Sequence, residues 1–535
     1  MSAVVPPMNS AEFAKSPTAT ELRLEKLDAW CEKWSDRFNP ILVKETRQAL
    51  KSRQFVITFS LLLFAALSWT IFGTFSLMPA IYTSPSAPRM MLGYYFVLAL
   101  PMLLVVPLAA YRSLEGEIDD GTLELLSITS LSPQQIILGK LASAMLQMLL
   151  YFVVLFPCIS YAYTLRGVDF PTTVALLGML LLAGVMMTIV ALFFATLSQS
   201  RTGRVTMLLV VILLLFAAEW VLGLSAFGLI EYGVDWSFGF ETALYYFVTP
   251  CLLCPPIAYL LFTLAAAQLT PASENRSTKI RVALLLVNAS VAAWIGFGIM
   301  EQYVGLVLLF VGGAALIVLW TLASSMLVAE SAVITPRVQR DLPQSFFARA
   351  TLGWLAPGPE TGLVFAVINM LLLAGVAVLM MYVHDRLVDS VPPLTKQMAI
   401  QFVFGCIGYL TFALLLVYGL MRGLRRKNTP RVEVGFAAMV VVAVFAALAP
   451  FAVELYANDF MSFPYSQWQA TNWVWTLSRI ADGKDHWGVI ELFGAVGVAG
   501  VVLVLYLNPS LVRPRRTATP ERVIQEMEKA KLEQK

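Results

Sequence analysis

The chain has 535 residues, which would make about three soluble domains of ~150 residues each, but its composition excludes them. Apolar residues make up 59% of the chain, charged residues make up 13%, and the mean hydropathy is +0.75. A soluble domain is usually about 45–50% apolar and about 25% charged, so this composition indicates a polytopic membrane protein in contact with the lipid bilayer. The 37 Lys and Arg nearly balance the 34 Asp and Glu, which gives no sign of a nucleic-acid partner.

The N-terminal residues 1–53 are predicted to form a cytoplasmic or interfacial amphipathic arm. Within it, residues 21–38 carry apolar side chains at helical spacing, including two tryptophans, which is typical of a helix in the membrane interface. The pair Asn39-Pro40 ends that pattern, and a basic stretch then leads to the first apolar run. This arm either anchors the chain by its positive charge alone or steers the first span against its neighbours.

Long apolar runs predict an all-α fold of about twelve membrane spans, with boundaries near 54–78, 92–111, 135–163, 171–198, 205–230, 244–269, 281–300, 303–329, 361–383, 398–421, 432–455 and 488–507. An even number of spans places both termini on one side. Of the 37 Lys and Arg, 31 then lie on the side of the termini, so the positive-inside rule predicts cytoplasmic N and C termini. The expected localisation is a multi-pass protein of a bacterial-type inner (plasma) membrane.

The spans fall into two groups of six. Residues 54–270 form a first six-span unit with an inside loop at 112–135, and residues 281–507 form a second six-span bundle. Residues 508–535 are predicted to be a cytoplasmic tail. The common six-span rhythm indicates either a degenerate repeat, which would make one chain a whole pore, or an accessory bundle, because no residue-level repeat is visible.

The loop 112–135 is acidic, although the positive-inside rule assigns it to the basic side of the membrane. Its acids are Glu115, Glu117, Asp119, Asp120 and Glu124, against the single base Arg112. Acidic residues contribute little to orientation, so the predicted topology stands. The acidic patch is either a solvated face or a surface that meets a basic partner.

Local signals predict two helices in this loop. Ser132-Pro133-Gln134-Gln135 is a capping box with proline at the first helical position, so a helix should begin at residue 133. Upstream, Asp119 or Asp120 can cap a short helix with the apolar residues Leu123, Leu125, Leu126 and Ile128. An exposed apolar ridge with an acidic rim is typical of a docking surface.

The same stretch resembles the signature of the permeases of ATP-binding cassette (ABC) transporters of the type-2 export class. The matching residues are Glu117, Asp119, Gly121, Thr122, Leu123, Glu124, Leu131, Ser132, Ile136, Gly139 and Lys140. The segment Asn39–Glu45 also resembles the approach of these permeases to their first span, and the resemblance covers roughly residues 36–270. Ser130 departs from the pattern, which often has proline there.

The resemblance implies that the loop is a coupling element that seats in a groove of a separate cytoplasmic ATP-binding cassette ATPase. The implied coupling residues are Glu115, Glu117, Asp119, Asp120, Gly121, Thr122, Leu123, Glu124, Leu125, Leu126, Leu131, Ser132 and Lys140. The sequence contains no G-x-x-x-x-G-K-[ST] phosphate loop, so ATP and Mg²⁺ are expected in the partner, and the chain itself is expected to be neither an enzyme nor a holder of a cofactor or metal. The family generally combines two permease units, which favours a homodimer or a second permease as partner.

Glu219 lies near the middle of the fifth run, where a carboxylate is costly. It is a candidate for the translocation path, and the alternative is a protonated or hydrogen-bonded Glu that holds helices together. Competing functions are an ion-coupled secondary transporter, a lipid-modifying membrane enzyme and a membrane-embedded scaffold. A secondary transporter would need broken helices or paired charges at the midplane of both halves, and Glu219 has no evident counterpart in the second half.

Overall fold

The fold is known from a computed structural model. It describes residues 40–121, 131–197, 201–232, 248–271, 274–298, 302–332, 335–340, 342, 345, 347, 352–387, 393–426, 431–459, 465–508, 522–523 and 525–527. The predicted amphipathic helix at 21–38 and most of the tail 508–535 lie outside the described residues.

The described part of the chain is all-α, and twelve of its helices are long and apolar enough to cross a membrane, which confirms the predicted fold class. We call them spans 1 to 12: Arg53–Ser76, Ala87–Asp119, Pro133–Thr164, Phe170–Leu197, Arg201–Tyr232, Thr249–Leu269, Ser277–Gly298, Gln302–Val328, Pro359–Leu387, Pro393–Leu424, Glu433–Ala457 and Trp487–Leu507. Shorter helices are Pro40–Lys51, called the approach helix, Pro336–Arg340 and Trp473–Ala481, with 3₁₀ turns at Ala80–Tyr82, Gly353–Leu355 and Gln467–Thr471.

Span 2 extends further than its apolar run. The prediction ended it at residue 111, whereas the helix continues to Asp119 and therefore carries Glu115 and Glu117. Hydropathy marks where the lipid contact ends, while the helix continues for as long as its backbone hydrogen bonds are made and its side chains find partners. The non-helical part of the predicted loop 112–135 is correspondingly shorter.

Span 2 also contains a π-helical segment, Leu100–Val105, which includes Pro101. Proline has no backbone N–H and cannot continue the regular hydrogen-bond ladder, so the helix widens locally. Span 4 approaches this segment closely, because a Cβ on Gly184 would lie 3.2 Å from the carbonyl oxygen of Met102. The irregularity at Pro101 therefore lies at a helix–helix contact.

The described part of the chain has four clusters of buried residues, and the two largest lie mainly in one half each. The first is built around span 2, with Met90, Tyr94 and Leu98 buried against spans 1 and 3. The second is built around spans 7 to 10, where the fully buried Trp320 packs against Phe365 at a ring distance of 5.8 Å. Each half therefore forms most of its own core, although Leu260 of span 6 belongs to the cluster of the second half.

Spans 6 and 7 join the two halves through extensive packing. The indole Nε1 of Trp294 donates a hydrogen bond to Thr249 Oγ1 over 2.7 Å within that interface. Lys279, at the start of span 7, donates a hydrogen bond to Gln134 Oε1, at the start of span 3, over 2.9 Å. The starts of spans 3 and 7 therefore lie on the same side of the membrane bundle.

Candidate coupling site

The approach helix packs directly on the start of span 3. Gly139 makes this contact possible, since a Cβ there would lie 2.8 Å from Ile41 Cγ2 and 3.2 Å from the backbone nitrogen of Leu42. The absence of a side chain at Gly139 lets the two helix backbones approach closely. The segment before span 1 and the end of the predicted coupling loop are thereby held together.

Lys140, the residue after Gly139, is the centre of a buried polar network. Its side chain is only 1% exposed. Its Nζ donates hydrogen bonds to Glu45 Oε1 at 3.1 Å and to Ser113 Oγ at 2.8 Å, and it lies 3.0 Å from Glu117 Oε2 in an ion pair. A buried ammonium group is tolerated only when it is paired and hydrogen-bonded, and these three partners meet that requirement.

The remaining atoms of the network balance its charge. Ser113 Oγ donates a hydrogen bond to Glu45 Oε2 over 3.1 Å. The same hydroxyl accepts a hydrogen bond from Lys140, so it links the ammonium group to the carboxylate. Lys44 Nζ, which is largely exposed, lies 3.2 Å from Glu117 Oε1. Two carboxylates and two ammonium groups thus connect the approach helix, the end of span 2 and the start of span 3.

The acids of the predicted patch have different environments. Glu117 is engaged by Lys140 and Lys44, and Asp119 forms an ion pair with Arg204 at the start of span 5. Glu115 is half-buried, whereas Asp120 is exposed at the end of the span 2 helix. Two of the acids therefore hold the chain together internally, which leaves less negative charge for a basic partner than the sequence pattern indicated.

Both ends of the connection between spans 2 and 3 are defined by local motifs. Gly121 has a φ of 65°, the left-handed conformation that ends a helix and that glycine adopts most easily. On the other side, Ser132 Oγ accepts a hydrogen bond from Gln135 N, and Gln135 Oε1 accepts one from Ser132 N, over 3.3 Å and 2.9 Å. The predicted capping box is thus present, and the helix of span 3 begins at Pro133 as predicted.

The central part of the predicted docking element lies outside the described residues. Thr122, Leu123, Glu124, Leu125 and Leu126 belong to the segment 122–130, for which no placement is described. The short helix with an apolar ridge therefore remains a prediction. Leu131, Ser132 and Lys140 are described, and they form the span 3 side of the connection.

A polar cavity of about 290 Å³ adjoins the Lys140 network. Its lining includes Glu45, Arg112, Ser113, Lys140 and Gln147, together with the aromatic ring of Tyr151. The space is large enough for several water molecules, and its polar walls can hydrogen-bond them. The network therefore borders a cavity that can hold water, which allows small shifts of the side chains around Lys140.

Comparisons with known proteins add no relatives to this description. No protein-family model, no curated protein and no solved structure matches the chain. The residues of the site are therefore interpreted from their own contacts and from the resemblance of the loop 115–140 to type-2 permeases.

Glu219 is placed in the middle of span 5, as predicted, and lies apart from the Lys140 network. Its Oε2 is buried and has no hydrogen-bond partner among the described residues. Tyr95, on the buried face of span 2, lies within electrostatic range of this carboxyl group. The alternative in which Glu219 holds helices together by hydrogen bonds is therefore not supported at Oε2. A role of Glu219 in the translocation path remains a prediction.

The structure contains a second buried ion pair, which the sequence does not indicate. Arg281 is fully buried at the start of span 7, and its Nη2 lies 2.8 Å from Glu330 Oε2, just beyond span 8. Arg281 also donates hydrogen bonds to the carbonyl oxygens of Trp354 and Gly358, over 2.8 Å and 3.1 Å. In the sequence both charged residues look like ordinary flanking charges of membrane spans, and no local pattern indicates that they pair.

Proposed function

We propose that the chain is the membrane permease subunit of an ATP-binding cassette exporter in a bacterial-type inner membrane. A separate cytoplasmic ATPase would dock on residues 115–135 and supply the energy. The observation that carries the proposal is the buried network of Lys140, Glu45 and Glu117, which gives the motif-bearing connection a firm base. A docking element can pass a movement on to the spans only if it is rigidly attached to them. A flexible connection would bend, and the spans would not move.

The network also supports a route for that displacement into the membrane. Glu45 belongs to the approach helix, Glu117 to span 2 and Lys140 to span 3, so a push on the connection would move all three elements together. Spans 2 and 3 pack on most of the other helices of the first half. Closure of two ATPase subunits would then tilt the spans between two packings, one open to the inside and one to the outside.

The ATPase would hold the nucleotide. The sequence lacks the phosphate loop that cradles the phosphates of ATP, so ATP and Mg²⁺ are assigned to the partner. In this proposal the residues of the chain dock, transmit movement and line the export path, and the partner performs the hydrolysis.

Site-specific photo-cross-linking in native cells tests the docking. A photoreactive phenylalanine analogue at Leu123 should form an adduct with a protein that contains a phosphate loop, identified by mass spectrometry of the adduct. The same analogue at Phe72, which is 67% exposed on span 1 and expected to face lipid, is the control and should give no such adduct. Adducts at Leu123 that contain only lipid, or only proteins without a phosphate loop, would contradict the proposal.

One observation favours a second candidate, an ion-coupled secondary transporter. Glu219 presents a buried carboxyl oxygen without a hydrogen-bond partner among the described residues, and intramembrane carboxyl groups commonly carry protons or bind ions. This candidate predicts that the purified chain, in vesicles without any ATPase, moves protons in response to a sodium or potassium gradient. The movement should be lost in Glu219→Gln, and absence of any movement in the wild type would exclude this candidate.

A further inference from the structure

The two halves of the chain have the same arrangement of spans. In the first half, span 2 packs against spans 1, 3, 4 and 5, span 3 packs against spans 1, 4 and 6, and span 4 packs against spans 5 and 6. In the second half, span 8 packs against spans 7, 9, 10 and 11, span 9 against spans 7, 10 and 12, and span 10 against spans 11 and 12. Adding six to each span number of the first set gives the second set without exception.

The correspondence includes a pair of spans that do not pack together. Spans 5 and 6 are consecutive, yet their described residues make at most marginal contact, and the same is true of spans 11 and 12. Consecutive helices are usually neighbours, and in each half the exception falls at a long connection, after the fifth span. In both halves the long connections follow the second and the fifth span: 120–132 and 233–248 in the first, and 329–358 and 458–486 in the second.

Because each half has six spans, both halves begin on the same side of the membrane and cross it in the same sense. They are therefore parallel repeats, of the kind related by an axis along the membrane normal. The connection that follows span 8 then corresponds to the predicted coupling loop that follows span 2. Both connections lie on the same side, as the hydrogen bond between Lys279 and Gln134 at the starts of spans 7 and 3 also indicates.

Each of these two connections is anchored by a carboxylate that a buried cation binds. Glu117, near the end of span 2, pairs with Lys140, and Glu330, just beyond the end of span 8, pairs with Arg281. Glu330 Oε2 also accepts a hydrogen bond from the backbone N–H of Gly358 over 2.9 Å, directly before span 9. The cations differ in place as well as in kind, because Lys140 lies at the start of the third span of its half and Arg281 at the start of the first span of its half. In both halves the carboxylate still ties the exit of the second span to the start of the third, through Lys140 in the first half and through the backbone N–H of Gly358 in the second.

Between its anchors, the second connection exposes apolar side chains. Phe347 is 80% exposed and Leu352 is 49% exposed, in a segment that lies outside the spans. Exposed apolar side chains in a connection that also carries the charged Arg337 and Arg340 are typical of a protein-docking surface. The place of this segment in the repeat indicates which partner it would meet.

We propose that spans 7 to 12 are a structural repeat of spans 1 to 6 and that the connection after span 8 docks a second ATPase subunit through its described residues, Phe347 and Leu352 among them. One chain would then carry both permease units and need no second copy. This inference rests on the proposed function, because it assigns to the second connection the partner proposed for the first. Of the two alternatives for the second half, a degenerate repeat and an accessory bundle, this inference favours the degenerate repeat.

The mass of the purified complex tests this stoichiometry. The complex of the full chain with the ATPase identified by cross-linking at Leu123 should contain one 59.0 kDa chain and two ATPase subunits. Phe347→Ala combined with Leu352→Ala should remove one of the two ATPase subunits and leave the other bound. A complex of two chains with two ATPase subunits, or a double variant that retains both subunits beside one chain, would overturn the inference.

Cross-linking separates failure of this inference from failure of the proposed function. The photoreactive analogue at Phe347 should capture a phosphate-loop protein, whereas at Phe445, which is 71% exposed on span 11, it should not. An ATPase adduct at Leu123 together with only lipid adducts at Phe347 would overturn the repeat docking and leave the proposed function intact. The absence of an ATPase adduct at both Leu123 and Phe347 would overturn both.

Discussion

Lys140 Nζ lies 3.1 Å from Glu45 Oε1, a contact between residues 95 positions apart in the chain. It fixes the segment before span 1 against the start of span 3 through a lysine whose side chain is 1% exposed. Glu117 completes the pairing from span 2. The three elements that surround the predicted coupling segment are therefore one mechanical unit.

Removing the charge of Lys140 should destabilise the protein strongly. Lys140→Met keeps the length of the side chain but leaves Glu45 and Glu117 without their buried cation, and breaking a buried pair costs about 3–5 kcal/mol. Thermal unfolding in detergent micelles should show the loss. The control is Lys44→Ala, which removes an exposed member of the same network and should cost less than about 1 kcal/mol.

A compensating variant tests whether the cost comes from unpaired charge. Lys140→Met combined with Glu45→Gln and Glu117→Gln should recover most of the stability, because no uncompensated buried charge remains. If the triple variant is as unstable as Lys140→Met, the effect of Lys140 comes from packing and the ion pairs are not its cause.

The contact at Gly139 should not tolerate a larger side chain. Gly139→Val would place atoms within 3 Å of Ile41 and push the approach helix away from span 3, at a cost of about 1–3 kcal/mol. Gly178→Val on span 4 is the matched control, because a Cβ there meets no atom within 4 Å. Cysteine cross-linking between the approach helix and span 3 should decrease only in the Gly139 variant. Equal behaviour of the two variants would show that the close approach is unimportant.

Replacing Glu219 should stabilise the fold. The buried Oε2 of Glu219 has no hydrogen-bond partner among the described residues, so Glu219→Leu removes an uncompensated polar group and should raise stability by about 1–3 kcal/mol. Glu454→Leu should do the opposite, because Glu454 accepts hydrogen bonds from Ser466 Oγ at 2.5 Å and from Asn458 Nδ2 at 3.2 Å. Unfolding temperatures of the two variants against the wild type give the comparison. A loss of stability in Glu219→Leu would indicate a partner that holds the carboxyl group.

The segment before span 12 should lose stability in acid. Burial, with help from the nearby Arg479 and Lys484, lowers the pKa of His486 below its ordinary value of 6.5, and Asp485 opposes this only in part. Arg479 Nε donates a hydrogen bond to His486 Nε2 over 3.1 Å, which requires the neutral ring. A lowered folded-state pKa means that stability is complete above about pH 6.5 and falls as the pH falls through the folded-state pKa.

Hydrogen exchange of the helix Trp473–Ala481 should report this change. Protection should decrease between pH 7 and pH 5 in the wild type and should depend less on pH in His486→Gln, which cannot take up a proton but can still accept the bond from Arg479. Equal pH dependence in both proteins would assign the effect to another group.

Hydropathy and local motifs were sufficient to predict much of the fold. The twelve spans follow from apolar runs, and the start of span 3 follows from the capping box at Ser132, because both signals lie within a few turns of chain. The helical extension of span 2 to Asp119 was missed, since its polar turns are stabilised by partners that are distant in sequence.

The buried networks could not be predicted from the sequence, and the six-span rhythm left a repeat as one of two alternatives. Lys140 and Glu45, or Arg281 and Glu330, meet only after the spans have packed, and each residue alone looks like an ordinary flanking charge. The two halves share which spans touch, while the side chains at the contacts differ. Similar packing without similar residues leaves only the six-span rhythm visible in a single sequence.

The most direct measurement is ATP hydrolysis in vesicles that contain the chain and the ATPase captured at Leu123. Hydrolysis should be stimulated by the wild-type chain, and the stimulation should be lost with Leu123→Ala combined with Glu124→Ala. Lys44→Ala, which changes an exposed charge beside the site, should keep it. Hydrolysis that is the same with the wild-type chain, with the double variant and without any chain would contradict the assignment of this protein as an ATP-driven permease.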